Sequence, residues 1–139
     1  MSFEDLPADW PRHPLTDPDL VHDVLDLCVS NADRATGGLA VLILRDDLTL
    51  AQPVFVTGPL PRLDRREMVR TLLTSCTRDG RDTAFVIGIA HEPGALSDED
   101  RGLHQVLIEV CAEHGLRLVS THLVTGYGIH ALPAVIRAA

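Results

Sequence analysis

The sequence predicts an α/β (α+β) fold, a mixed β-sheet of about five strands flanked by helices, and three observations carry that prediction. Two continuous apolar runs, residues 39–44 and 84–90, have strand length and no polar alternation, the pattern of strands covered on both faces. Three stripes at helical spacing separate the strand-like pieces. With 139 residues and 45% apolar side chains, the chain is of single-domain length and can bury a core.

Residues 1–16 hold three prolines, several acids and the single tryptophan, and read as an N-terminal arm anchored through Trp10, either on its own domain or on a partner. Residues 17–139 form the domain. Asp17 suits a helix cap and Pro18 a first helical position, followed by a stripe of Leu20, Val21, Val24, Leu25, Leu27 and Cys28 that Gly37 and Gly38 close. The runs 39–44 and 50–56, with Arg45, Asp46 and Asp47 between them, read as a hairpin. Asp64 and Glu67 have capping-box spacing, and Met68, Val69, Leu72, Leu73 and Cys76 follow as a second helix. Asp79, Gly80 and Arg81 break the pattern before the strand 84–90. Ser97 opens a third helix, with Asp98, Glu99 and Asp100 at its positive end, the stripe Leu103, Val106, Leu107, Val110 and Cys111, and Gly115 as its stop. Residues 116–124 and 128–132 read as two last strands around a turn at Gly126. No repeat or low-complexity tract is present.

Charge narrows the function classes. The formal net charge is −8, and all twelve basic residues are arginine. Coating a polyanion requires a basic face, so the composition argues against a nucleic-acid partner. Only Arg62, Arg65, Arg66 and Arg70 gather locally, as a solvated helix face or as an anion or partner patch. Cys28, Cys76 and Cys111 are odd in number and far apart, and read as buried apolar residues rather than a disulfide or zinc framework. No apolar run is long enough to cross a bilayer. The opening MSFEDLPADWPRHP has acids and prolines where a secretory signal needs a basic end and an apolar stretch, so a cytoplasmic location without membrane contact is expected.

Several local strings point to a family. The strand 84–90 ends in AHEP (residues 90–93), SDED (97–100) supplies Ser-x-x-Asp at the next helix, and STHLV (120–124) lies on a later strand. Residues 39–132 resemble, in these strings and in element order, the RadC-like branch of the JAB/MPN metalloprotease-like fold, which has a cytidine-deaminase-like architecture. In that family a buried strand ends in His-x-His-Pro and a Ser-x-x-Asp opens the next helix. The resemblance implies two histidines and the aspartate holding a zinc ion, with a fourth position left for water. The metal would lower that water's pKa and an upstream carboxylate would move the proton.

The sequence departs from this pattern where the chemistry lies. With Pro93 in register with the family proline, Ala90 and Glu92 take the two histidine positions and His91 falls between them on the opposite face. The loop before Ser97 is about three residues shorter than the family's. No glutamate lies on the strand 50–56, where Gln52 is the nearest polar group. A family-type zinc site is therefore expected to be absent, with no catalytic residue and no cofactor. The residues for a rearranged zinc site would be His91, Glu92, Asp100 and His122. Three of them have an ordinary alternative: Asp100 with Ser97 as a helix cap, His91 as a bonded loop residue, and His122 as a neutral buried histidine. Histidines 13, 22, 104, 114 and 130 have no ligand-like spacing, and no nucleophile elbow, P-loop or dinucleotide fingerprint occurs.

The first functional expectation is thus a non-catalytic JAB/MPN-like module. It would act on an unknown protein partner or by self-association as a possible homodimer, through a sheet edge or the N-terminal arm. The alternatives are a divergent zinc hydrolase of peptide or isopeptide bonds, and an unrelated α/β domain with a small-ligand pocket near the arginine cluster.

Overall fold

The computed structural model describes residues 4, 6–58, 64–77 and 84–133. Among them the chain folds into four helices and one mixed five-stranded sheet. Helix α1 (Pro18–Cys28) and the short α2 (Asn31–Thr36) precede the hairpin of β1 (Gly38–Leu44) and β2 (Leu50–Thr57). Then follow α3 (Arg65–Ser75), β3 (Ala84–Ala90), α4 (Asp98–Glu113), β4 (Arg117–Thr125) and β5 (Gly128–Ala131). The strand order is β2-β1-β3-β4-β5. Only the β3/β4 pair is parallel; β1/β2, β1/β3 and β4/β5 are antiparallel.

The two apolar runs become central strands because both their faces are covered. Ala40, Leu42 and Leu44 of β1 and Ala84, Val86 and Ala90 of β3 pack with Val21, Val24 and Leu25 of α1. Their alternating neighbours, including Leu39, Val41, Phe85, Ile87 and Ile89, pack with Val69 and Leu73 of α3 and Leu107, Val110 and Cys111 of α4. The result is a three-layer sandwich of helix, sheet and helix. Because β3 and β4 are parallel, the chain crosses back between them over one face, and α4 is that crossover.

The caps follow local chemistry. The carboxylate of Asp17 accepts from Asp19 N at 3.1 Å at the start of α1. Ser97 and Asp100 form a full capping box on α4, and Gly115 lies just past its end with φ +66°. The capping box expected at Asp64 and Glu67 does not form. Asp64 sits at φ −100°, ψ 15°, outside the extended conformation a cap needs, and Glu67 pairs with Arg70 instead. Helix α2 is an addition to the expected elements, capped by Ser30 through Asp33 N at 3.1 Å. Two stripe residues prove exposed, Leu27 at 44% and Met68 at 38%, so the buried stripes are narrower than their apolar patterns. Cys111 is buried, whereas Cys28 and Cys76 are half-buried, and all three are free thiols. The break at Asp79, Gly80 and Arg81 lies outside the described residues.

The arm is anchored on its own domain. Trp10 opens a short 3-10 turn, Trp10–Arg12, and packs with Leu6 against the α1 face of the core; Leu15 is fully buried and donates to Leu48 O at 2.9 Å. Edge strand β2 carries Pro53 at its centre, which removes one backbone donor from a row that a further strand would pair with. No helix among the described residues is long and apolar enough to cross a membrane.

Gly38 begins β1 between β2 and β3, opposite Thr57 and Ala90. A Cβ there would lie 2.2 Å from Val56 O and 2.8 Å from Phe55 Cζ. Gly38→Ala is therefore expected to lower the unfolding free energy by roughly 2–4 kcal/mol. Urea denaturation checks this, and an unchanged midpoint would show that the start of the hairpin relaxes freely around a methyl group.

Candidate functional site

The end of β3 is where the sheet's apolar continuity stops. All seven residues of β3 are buried, and the next residue, His91, is the first polar side chain. Its parity follows Ile89, so it lies on the opposite face from Ala90, as the Pro93 register implies, and that face is the α3/α4 side. His91 Nε2 lies 2.8 Å from Asp100 Oδ2, and His91 Nδ1 lies 2.6 Å from the carbonyl oxygen of Glu92. The same Asp100 oxygen accepts from Ser97 N at 2.9 Å, while Asp100 N donates to Ser97 Oγ at 3.1 Å. One carboxylate thus both caps α4 and ties it to the end of β3.

This arrangement favours the protonated form of the histidine. A carbonyl and a carboxylate both only accept, so the two bonds are both satisfied when each ring nitrogen carries a hydrogen, as in the imidazolium. Burial pulls the His91 pKa down, but the bonds to the Glu92 carbonyl and to Asp100, with the charge of Asp100, outweigh it and the net shift is upward.

Behind the pair opens a cavity of about 570 Å³. Leu39, Ile89, Ala90 and Leu103 supply apolar wall, glycines 37, 38 and 58 form backbone rim, and His91, Asp100, Arg65 and Glu99 bring charge. The glycines at 37 and 58, with φ of +88° and +92°, take backbone conformations that other residues rarely adopt. Both α3 and α4 begin at this cavity, since Arg65 and Asp100 line it from their first turns. The volume lies within the range of small-molecule sites, about 300–1,000 Å³.

The remaining candidates are distributed differently. Glu92 is exposed, and its backbone carbonyl rather than its carboxylate meets His91. His122 shares the parity of Val124 and so faces the α1 layer, across the sheet from Asp100. It is 4% exposed, lies 2.9 Å from Ser120 Oγ through Nε2, and has its pKa pushed down to about 4, first by burial and then by His22. Gln52 is exposed and pairs with Ile43, well along the hairpin from the cavity end at Gly38. Among the described residues no group of three or more His, Cys, Asp or Glu side chains converges on one point. Zinc centres need three or four such donors, so this donor set does not fit the metal that the family resemblance implies.

The arginine cluster is turned towards α4. Arg65 Nη1 lies 3.3 Å from Glu99 Oε2; Arg66 pairs with Glu109 and, at 3.0 Å, with Glu113; Arg70 pairs with Glu67. Arg62 lies outside the described residues. Arg65 alone of the three lines the cavity. A second internal arginine had no sequence signal: Arg34, 6% exposed, donates to Val29 O, to Thr125 O and to Asp26 Oδ1, joining α1, α2 and the end of β4.

Compared with protein-family models and with curated proteins, the sequence matches none.

Two pH responses of opposite sign follow. The folded pKa of His91 is raised above its unfolded value of about 6.5, so its contribution is complete below about pH 6.5 and is lost as pH rises through the folded pKa. Asp100→Asn keeps an oxygen for the cap but removes the charge. It should flatten this alkaline limb of stability, whereas Asp100→Ala should also lose about 1 kcal/mol of capping at every pH; denaturant midpoints between pH 6 and 8 measure both. His122 is held neutral in the fold. The unfolded chain therefore takes up a proton that the folded one refuses as pH falls from about 6.5 to about 4, costing up to roughly 3 kcal/mol. His122→Gln should remove most of that acid limb, and an unaltered limb in the variant would assign it to other groups.

Proposed function

We propose that this chain is a non-catalytic binding domain of the JAB/MPN-like kind, and that the cavity at the end of β3 is its binding site. The observation that carries this reading is the state of the two residues nearest to the implied metal position. His91 and Asp100 saturate one another: both ring nitrogens are engaged, and the carboxylate oxygen that meets the ring already accepts from the helix start. A cation binding there would have to displace the ring proton and compete with the cap. What remains is a pocket with apolar walls and few polar groups, a composition suited to holding a molecule rather than activating water.

The divergent zinc hydrolase is the second reading, favoured by the contact between His91 and Asp100, both of which are permissible zinc ligands. The two readings separate on elemental analysis of protein purified without a metal-affinity tag, before and after incubation with zinc and desalting. The binding-domain reading expects only substoichiometric zinc in both samples. One zinc per chain, lost in both His91→Ala and Asp100→Ala, would overturn it and establish a metal centre.

A further inference from the structure

Asp100 has one carboxylate oxygen to spare, and it opens on the cavity. Oδ2 is engaged twice, by His91 Nε2 and by Ser97 N. Oδ1 has no hydrogen-bond partner among the described residues, and unlike Asp23 Oδ1 and Thr121 Oγ1 it is not sealed by the packing around it. The residue as a whole is 5% exposed and lines the cavity, so the surface left to Oδ1 lies there. A molecule that fills the cavity cuts this oxygen off from solvent. A carboxylate oxygen buried without a donor is costly, so the occupant has to supply an N–H or O–H at that point.

The charges of the cavity cancel among themselves. Arg65 pairs with Glu99 at 3.3 Å and His91 with Asp100 at 2.8 Å, so with the ring protonated these four side chains sum to zero. A charged ligand would give up its hydration with no opposite charge left to meet it. At the rim, the Gly37 N–H is already donated to Asp33 O, and the Gly37 carbonyl already accepts from Gly58 N. The rest of the wall is apolar, from Leu39, Ile89, Ala90 and Leu103, and favours burial of an apolar body. The site thus asks for one donor and no charge.

We propose that the cavity takes a small neutral molecule with an apolar body and one hydroxyl or amide group, which donates to Asp100 Oδ1 while the body lies against Leu39, Ile89 and Leu103. This assignment rests on the reading of the cavity as the binding site.

The test is a nitrogen–proton NMR titration of the full chain at about pH 6, below the ordinary histidine value of about 6.5, following the backbone amides of Gly38, Ile89, Asp100 and Leu103. The probes are 1-hexanol, its isomer methyl pentyl ether, which accepts but cannot donate, hexylamine and hexanoate. Hexanol should shift all four signals saturably, with the ether and both charged probes weaker by about tenfold or more. In Asp100→Asn the side-chain oxygen stays with the cap, which places the NH2 group where Oδ1 was. That group donates to either oxygen, so the preference for hexanol over the ether should fall to about twofold or less. Ether binding as tightly as hexanol in the wild-type chain would overturn the donor assignment, whether or not the variant folds, and leave the cavity as a binding site. A folded Asp100→Asn that keeps the full preference would overturn the role of Asp100. Hexylamine or hexanoate binding more tightly than hexanol would overturn the neutrality of the ligand. Silence of the cavity signals to all four probes would overturn both the assignment and the binding-site reading beneath it.

Discussion

Burial of β3 on both faces is the constraint from which the rest of the architecture follows. Seven consecutive residues without exposed surface require a helical layer on each side and a strand along each edge. On one side that strand is β1, antiparallel, whose own alternation divides the core in the same way. On the other it is β4, parallel, which forces a crossover and so places α4 over the face shared by Phe85, Ile87 and Ile89. Gly88 belongs to the same constraint. A Cβ there would meet Val124, Ala40 and Leu25 at 3.1–3.4 Å, so its absence lets α1 close onto the sheet.

The site is a consequence of that placement. The crossover must begin where β3 ends, so the first polar residue beyond the strand and the first turn of α4 are brought together. Asp100 then serves two purposes with one carboxylate, ending the unsatisfied N–H of Ser97 and holding His91. A helix cap of this kind is ordinary in isolation; joined to His91 it becomes a latch between sheet and helix layers. Here the link is an imidazole ring held between the Glu92 carbonyl and the Asp100 carboxylate.

The arginines belong to the packing of α3 on α4 more than to an open basic surface. Arg66 reaches Glu109 and Glu113, which are one turn apart on α4, and Glu109 is held below the usual carboxylate range by hydrogen bonds from Gln105 and Arg66. Exposed pairs of this kind contribute little stability individually and are weakened by salt. Their effect is to orient α3, and with it Arg65, which alone of the three turns inward to the cavity. Arg34 does comparable work in the opposite layer, where its bonds to three backbone carbonyls and to Asp26 fix the bend from α1 through α2 into β1.

What the sequence by itself determined is the local structure: the two doubly covered strands, the hairpins, the cap at Asp17, the capping box at Ser97 and the stop at Gly115. These were legible because apolar periodicity and cap chemistry act across a few residues, where sequence distance and spatial distance are the same thing. Short α2 went unread because six residues carry too little periodicity, although Ser30 and Asp33 already had cap spacing. The tertiary structure alone decided that His91 turns to Asp100, nine residues on, while His122 goes to the opposite layer. It likewise decided that Arg65 lies on Gly102 and that Arg34 reaches Thr125, 91 positions away. Those meetings depend on strand order and on which face of the sheet each helix covers, and both are settled by how the whole core packs rather than by any local pattern.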